Sequence, residues 1–305
     1  MSKSFADRLT AQIQRTGSIL CVGFDPSIPA LPRYVLEKLQ GQTISPEVID
    51  DTLFSFYSIF IERLSNSIAC IKPNIAFFEQ YGLGGLSAIN KLCRLAQEVG
   101  LPIILDGKRG DIGSTAEAYA HAYLGSNDKD PFIQQVAEVD ALTINPFLGF
   151  DTLDPFVKMA QSNNKGLFIL VRTSNPGASV IQGDFKNHQG VSITQYLAQW
   201  IGDNSALQGS SGLSGLGAVV GATQPIEAVA LRGLMPNAYF LVPGFGAQGA
   251  SAAEAVAGKR HDGSGLVVNV SRAMTSGLAD LPQIKLGDEI TKRAETLSKQ
   301  LSEAL

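Results

Sequence analysis

Four ionisable side chains crowd into residues 105–115, whose sequence is LDGKRGDIGST. Directly behind an apolar run stand Asp106, Lys108, Arg109 and Asp111. Charged groups at a strand end lose hydration, and exposed ion pairs return at most about 1 kcal/mol each. Because such a cluster is costly as scaffolding alone, its composition indicates a site that does chemistry.

Asp106 and Lys108 stand two residues apart, so on an extended strand both side chains point the same way. Lys72 ends the preceding predicted strand and can lie beside them. A lysine held between carboxylates stays protonated, because opposite charges favour the charged form. Such a lysine is poorly suited to Schiff-base chemistry but can donate a proton or stabilise a carbanion. The alternative is a purely structural ion-pair network at the rim.

Short apolar runs with turn and helix patterns between them determine the predicted fold. The runs are residues 18–24, 67–72, 102–106, 141–145, 167–171, 216–220, 239–243 and 266–270. They are nearly continuous rather than alternating, which is typical of parallel strands buried on both faces. Eight such units predict an α/β protein with a (β/α)8 TIM barrel, while an open doubly wound sheet is the rival. We expect residues 1–305 to form one domain with a loop insertion around 174–215.

Local signals refine this outline. Ser45 before Pro46 predicts a capped helix start, and Ser114 with Glu117 predicts a capping box. Two intervals between strands are long, residues 26–44 and 174–215, and within the second we expect a helix over residues 193–201.

Composition narrows the class of protein. The chain has 305 residues, of which 45% are hydrophobic and 17% charged, so it can bury a large core. A net charge of -4 argues against nucleic acid as a partner. The three cysteines are an odd number without metal-type spacing, which favours free thiols, and the three histidines show no metal-ligand spacing. With no signal-like amino terminus and no apolar stretch of roughly 20 residues, we expect a cytoplasmic protein without a membrane partner.

The carboxyl ends of the strands carry most of the remaining polar residues, where barrels keep their active sites. They are Asp25, Lys72, Asp106 with Lys108, Asn145, Arg172 with Ser174, and Ser271 with Arg272. The loop PGFGAQG contains GxGxxG, but it follows the seventh strand, which argues against a dinucleotide site. With Arg272 beside it, this loop predicts phosphate binding through backbone N–H groups; a tight turn is the alternative.

The motif D-x-K-x-x-D-I, which starts at Asp106, resembles the signature of the orotidine 5′-phosphate decarboxylase family. Further matches run from the first strand to the eighth: Asp25 in GFDPS, Lys72 in IKPN, Ser174 in RTSNPGA, Pro243 and Gln248 in PGFGAQG, and Arg272 in VNVSRA. The short motif is shared with hexulose-phosphate synthase, so the whole set makes the resemblance specific. The long intervals and the phrase TINPFLGFD resemble the longer bacterial, type 2 subgroup.

The resemblance implies loss of CO2 from C6 of orotidine 5′-monophosphate to give UMP, a step of de novo pyrimidine biosynthesis, with no cofactor and no metal. In the family's arrangement Lys108 stabilises and protonates the C6 carbanion, while Asp106, Lys72 and Asp111 fix that lysine. The implied substrate-binding residues are Asp25, Ile112, Thr115, Ser174, Pro243, Gln248 and Arg272, with Ser174 reading the pyrimidine and Gln248 and Arg272 holding the phosphate. In this family Asp111, Ile112 and Thr115 reach the other subunit's site, which implies a homodimer with shared active sites.

Two other functions stay open. A metal-dependent phosphosugar lyase or synthase of the hexulose-phosphate synthase type could use the same barrel and an enediolate intermediate. Ser174 and the long fifth-strand loop favour the decarboxylase over it. A non-catalytic nucleotide-binding barrel fits poorly, because every charged residue of the motif set is present.

Overall fold

Eight parallel β-strands form the centre of the protein, and each overlaps one of the predicted runs. The computed structural model describes residues 3–126, 132, 135–246 and 249–305. The strands are β1 (Leu20–Phe24), β2 (Cys70–Pro73), β3 (Ile104–Arg109), β4 (Ala141–Ile144), β5 (Gly166–Arg172), β6 (Ser214–Val220), β7 (Ala238–Val242) and β8 (Leu266–Val270).

The strands close into a barrel. Neighbours pair in the order β2-β1-β8-β7-β6-β5-β4-β3. The two ends of this order meet, since one parallel bridge joins Ile71 to Ile103 and another joins Asn74 to Asp106. The predicted (β/α)8 barrel is therefore confirmed, and the open doubly wound sheet, which would leave two edges, is wrong.

The amino-terminal end of the barrel is closed by α1 (Phe5–Thr16). Phe5 packs edge-on against Phe168 of β5, with ring centroids 6.1 Å apart, and both are buried. Position 166 needs a glycine, because a Cβ on Gly166 would stand 2.2 Å from the Phe5 ring. Since this end is packed with side chains, a ligand is expected at the opposite, carboxyl-terminal mouth.

Helices follow each of the strands along the chain. They are α2 (Arg33–Leu39), α3 (Pro46–Leu64), α4 (Ile75–Glu79), α5 (Gly82–Glu98), α6 (Gly113–Leu124), α7 (Asp154–Ser162), α8 (Ile193–Asp203), α9 (Pro225–Leu234), α10 (Ala252–Ala255), α11 (Arg272–Thr275) and α12 (Gln283–Ala304). The predicted cap of α3 is confirmed, because the Ser45 side chain accepts a hydrogen bond from the Val48 amide at 3.4 Å. None of the described helices is both long and apolar enough to cross a membrane.

The predicted capping box at the start of α6 is wrong. The residue before this helix is Ile112, and no side chain caps its first turn. The chain turns out of β3 through Gly113, whose φ is +49°, and so Ser114 already lies inside the helix. A capping side chain must precede the first turn, and Ser114 comes too late to reach its free amides.

The two long intervals carry structure of their own. Residues 174–215 contain a π-helical turn (Ser179–Asp184) and α8, which confirms the helix expected there. Residues 26–44 contain a 3-10 turn (Ile28–Ala30) and α2. The Tyr81 hydroxyl accepts a hydrogen bond from the Ile28 amide at 2.8 Å, which anchors this interval beside the mouth of the barrel.

Candidate active site

A cavity of about 1120 Å³ opens at the carboxyl-terminal mouth of the barrel. Its walls contain seven of the predicted site residues, namely Asp25, Lys72, Asp106, Lys108, Ser174, Pro243 and Arg272. These residues come from the ends of β1, β2, β3, β5, β7 and β8. Side chains far apart in the sequence are thus brought to one place by the parallel alignment of the strands.

Asp106 lies between two lysines. Its Oδ2 accepts a hydrogen bond from Lys72 Nζ at 2.9 Å, and its Oδ1 accepts one from Lys108 Nζ at 2.5 Å. The side chains of Lys72 and Asp106 are 5% and 11% exposed, whereas that of Lys108 is 47% exposed. The sequence predicted a lysine between carboxylates. The hydrogen bonds place the Asp106 carboxylate between two lysines, and Lys72 in turn lies near two carboxylates, those of Asp106 and Asp25.

The electrostatics keep Lys72 and Asp106 charged. Burial alone would raise the pKa of the Asp106 carboxyl, but the charges of Lys72 and Lys108 and the hydrogen bonds from both lysines outweigh it, so this pKa lies well below its usual range. Burial would lower the pKa of Lys72, but Asp106 and Asp25 outweigh that effect and raise it. The buried Lys72–Asp106 pair therefore stays charged, and the Lys108 ammonium group lies beside it.

A bulge in β3 sets the position of Lys108. The pairing of β3 with β4 shifts register across this segment, and Lys108 takes a φ of +46° in the left-handed region. The Thr143 hydroxyl accepts hydrogen bonds from the amides of Gly107 and Lys108 and donates one to Asp106. The sequence analysis missed Thr143. Its one signal was a hydroxyl residue within the otherwise apolar strand sequence ALTI.

Two polar side chains on neighbouring strands complete this side of the cavity. Asp25 Oδ1 is buried and accepts no hydrogen bond from any described residue. A buried carboxylate oxygen without a donor is costly, so this oxygen is a candidate acceptor for a ligand. Asn74, which the sequence analysis also missed, lies after β2 with its Nδ2 3.5 Å from Asp106 Oδ2.

The segment after β5 is held by Gln182 of the long interval. Gln182 accepts a hydrogen bond from the Thr173 amide and donates one to the Thr173 hydroxyl, both at 2.9 Å. This pairing fixes the residue next to Ser174. Arg172, by contrast, points away from the cavity and donates to the Glu227 carboxylate at 2.8 and 3.1 Å. Arg172 is thus a scaffold residue, although the sequence placed it among the strand-end polar groups.

The loop after β7 and the start of α11 lie at another wall of the cavity. Pro243, Gly244 and Arg272 line it there. Gly244 and Gly246 have φ values of +111° and +71°, so these glycines do form the sharp turn considered above. The turn and the predicted phosphate site are compatible, because Arg272 at the same wall supplies a cation. Gln248 lies outside the described residues.

Three predicted site residues do not line the cavity of their own chain. Asp111, Ile112 and Thr115 follow β3 on the outer rim, and Ile112 is 61% exposed. Asp111 Oδ1 accepts a hydrogen bond from the Ile112 amide at 2.8 Å. The structure therefore separates these three residues from the seven that share the cavity.

Comparison with known proteins places this geometry in a family. Residues 20–277 match the model of the orotidine 5′-phosphate decarboxylase / HUMPS family. The chain belongs to this family. The orotidine 5′-phosphate decarboxylase of Rhodopirellula baltica is 42% identical over 274 residues, 88% of this chain and 87% of that protein. That of Deinococcus radiodurans is 39% identical over 276 residues, 90% of each chain.

A solved structure agrees with these relatives. The orotidine 5′-monophosphate decarboxylase of Leishmania donovani has a TM-score of 0.71 and 29% identity to this chain, and the match covers 99% of this chain and 98% of that one. The resemblance to orotidine 5′-phosphate decarboxylases, first seen in six short motifs, is thus confirmed over nearly the whole chain.

Proposed function

We propose that this chain decarboxylates orotidine 5′-monophosphate to UMP in pyrimidine biosynthesis. The family membership and the named relatives support this activity. The observation that carries the mechanism is the buried Lys72–Asp106 pair with Lys108 presented beside it into the cavity. We assign substrate and product as nucleoside monophosphates and propose that neither cofactor nor metal takes part.

The mechanism follows from where charge develops. Loss of CO2 breaks the bond between C6 and the carboxyl carbon and leaves the electron pair on C6. Because the ring offers no electron sink for that pair, preorganised charge has to stabilise it. Lys108 Nζ supplies a positive charge and then a proton to C6, and water reprotonates the amine. Asp106 lies near the departing carboxylate and, with Lys72, holds Lys108 in place.

Residues remote from C6 bind the rest of the nucleotide. The unpartnered Asp25 Oδ1 suits a ribose hydroxyl, Ser174 faces the cavity where the base would lie, and Arg272 with the loop after β7 suits the phosphate. We assign Pro243 and Gln248 to the same loop. Binding energy gained at the phosphate can stabilise a closed state around the reacting atoms and so appear in the rate.

The direct test uses the purified protein after dialysis against a chelator. We expect it to convert orotidine 5′-monophosphate to UMP, followed by the change in ultraviolet absorbance, with no added metal. Absence of turnover under these conditions, with activity on a pentulose phosphate restored by a divalent metal, would support the phosphosugar enzyme instead. The site argues against that alternative. Both carboxylate oxygens of Asp106 already accept hydrogen bonds from lysine ammonium groups, so a metal cation bound to Asp106 would be repelled by two positive charges.

We also propose a homodimer whose two active sites are shared. Asp111, Ile112 and Thr115 lie on the rim outside their own cavity, where a second subunit could receive them. Apolar side chains follow the neighbouring strand β4 on the same rim, with Phe147 79% and Leu148 51% exposed. An exposed apolar rim beside displaced site residues supports a two-fold interface at this mouth.

The shared-site proposal predicts complementation between two inactive variants. Lys108→Ala and Asp111→Ala are each expected to be inactive when pure. In a mixed dimer one site carries both defects, whereas the other has an intact Lys108 and an intact Asp111. After the variants are mixed and allowed to exchange subunits, about a quarter of wild-type activity should return. Mixing Lys108→Ala with Asp106→Ala, which lie in the same chain's site, is the matched control and should restore none. Recovery in both mixtures, or in neither, would contradict the proposal.

The cysteines support a cytoplasmic location. Cys21, Cys70 and Cys93 are free and buried, as expected in a reducing compartment. We therefore assign the protein to the cytoplasm. From its composition and its eight strands we also propose one catalytic domain without a nucleic-acid or membrane partner.

A further inference from the structure

We propose that Thr143 is a positioning residue of the decarboxylation centre, whose hydroxyl fixes both the Asp106 carboxylate and the bulged backbone that aims Lys108. The proposal rests on the proposed function, since it assigns Thr143 a share in that reaction. It concerns a side chain on β4, a strand from which the motifs drew no catalytic or substrate-binding residue.

The register of the sheet makes Thr143 the sole residue of β4 opposite the bulge. Leu105 of β3 pairs with Leu142, and Arg109 pairs with Ile144. Three residues of β3 therefore face Thr143 alone. A bulge of this kind interrupts the regular ladder and leaves backbone amides in need of other acceptors.

The Thr143 hydroxyl meets that need with all of its hydrogen-bonding capacity. Its Oγ1 accepts from the Gly107 amide at 3.0 Å and from the Lys108 amide at 2.9 Å. Because a hydroxyl has two lone pairs and one proton, two acceptances leave its proton for one partner. That partner is Asp106 Oδ1, at 3.1 Å. Thr143 is 1% exposed, so bulk water does not compete for these bonds.

The arrangement joins a strained backbone to a fixed charge. Lys108 has a φ of +46°, which a residue with a Cβ rarely adopts and which persists only where the surroundings hold it. Gly107 lets the bulge approach β4 closely, because a Cβ there would stand 3.1 Å from Leu142 Cδ1. One hydroxyl thus holds the backbone of Lys108 and the carboxylate to which Lys108 Nζ bonds. Its loss releases the Lys108 backbone and leaves the Asp106 carboxylate held only from the side of Lys72 and Asn74 among the other described strands.

A matched pair of substitutions separates the hydroxyl from the shape of the side chain. Thr143→Val keeps the branched shape and removes the hydroxyl, whereas Thr143→Ser keeps the hydroxyl. We expect Thr143→Val to lower kcat per active site by about 10²-fold, the effect of a reacting group displaced by about 1 Å. UMP affinity and KM should stay close to wild type, because the phosphate and ribose contacts lie elsewhere. Thr143→Ser should retain most of kcat.

Counting active sites distinguishes positioning from a merely structural role. Sites are titrated calorimetrically with UMP, and kcat is expressed per titrated site. If Thr143 only supported folding, Thr143→Val would reduce the number of sites and leave kcat per site unchanged, which would overturn the proposal. A Thr143→Ser variant as impaired as Thr143→Val would overturn it as well. Thr52→Val is the control, since the hydroxyl of this buried residue on α3 donates to the Val48 carbonyl at 2.6 Å; it should change stability but not kcat per site.

A second readout does not depend on the reaction. Amide hydrogen exchange at Gly107 and Lys108 should be faster in Thr143→Val than in the wild type and near wild-type in Thr143→Ser. Unchanged exchange in Thr143→Val would contradict the proposal even if activity fell. If the wild-type chain did not turn over orotidine 5′-monophosphate, the proposed function would fail, and faster exchange would still show that the hydroxyl holds this segment.

Discussion

Lys108→Ala is expected to lower kcat for decarboxylation by about 10⁴-fold or more, since it removes both a general acid and the cation that stabilises the carbanion. The cation is preorganised, because the Asp106 carboxylate and the bulge of β3 hold Lys108 Nζ in the cavity before substrate arrives. No other described lysine lines this cavity except Lys72, which is buried and paired. Among the described residues, the variant therefore keeps no half-exposed ammonium group at the cavity that could protonate C6.

The same substitution should leave the fold and product binding almost intact. Lys108 is half exposed, and the buried Lys72–Asp106 pair remains after its removal. Single-turnover rates with orotidine 5′-monophosphate, calorimetric titration with UMP and urea unfolding separate the three properties. Lys299→Ala is the control, because the side chain of this lysine on α12 is 77% exposed and does not line the cavity. Near wild-type kcat in Lys108→Ala would contradict the role assigned to this residue.

The barrel could be predicted from sequence because its signal is local. A parallel strand buried on both faces has a continuous apolar sequence, so each of the eight strands can be recognised without knowing which strand it pairs with. The end of β3 shows where that signal stops. The apolar run predicts a strand that ends at Asp106, yet β3 continues to Arg109. The Thr143 hydroxyl on β4 accepts hydrogen bonds from the Gly107 and Lys108 amides and so keeps this segment in the sheet, and no pattern within residues 105–115 contains that information.

The site divides in the same way. Lys72, Asp106 and Lys108 were predictable, because their charge at a strand end is visible in one segment and the family motif contains them. Thr143, Asn74 and Gln182 were missed because each acts through a partner on another element. The predicted capping box failed for a related reason. Ser114 and Glu117 have the right spacing, but the geometry with which the chain leaves β3 makes Ile112, two residues before Ser114, the residue that precedes the helix.

Asp106→Asn is expected to lower both activity and stability. The amide keeps the shape of the carboxylate but leaves Lys72, 4% exposed, without its main counter-charge. Breaking a buried ion pair from one side costs about 3–5 kcal/mol, and we expect the lower end of that range because Asp25 also stabilises the charge on Lys72. Loss of the bond to Lys108 Nζ should lower kcat by at least about 10²-fold.

The effect of Asp106→Asn on the free energy of unfolding should depend on pH, and the pKa shifts of Asp106 and Lys72 give the direction. The folded-state pKa of Asp106 lies below the value of about 3.9 for an unfolded aspartate, so the contribution of this carboxylate is complete above that value and is lost as pH falls through the folded-state pKa. The pKa of Lys72 is raised, so its contribution is complete below about pH 10.4 and is lost as pH rises further. The difference in free energy of unfolding between wild type and Asp106→Asn should therefore be constant between about pH 5 and 7 and shrink on acidification below about pH 4.

Urea unfolding of both proteins from acid to neutral pH measures this difference, in which titrating groups remote from Asp106 cancel. Asp280→Asn is the matched control: Asp280 pairs with Arg33 at 2.7 Å, but both side chains are more than 70% exposed. Its loss should cost at most about 1 kcal/mol at any pH, because solvent screens the pair. A difference between wild type and Asp106→Asn that widens on acidification, or that is absent at neutral pH, would show that the Lys72–Asp106 pair does not stabilise the folded state. The charge beside Lys108 would then serve catalysis without contributing to stability.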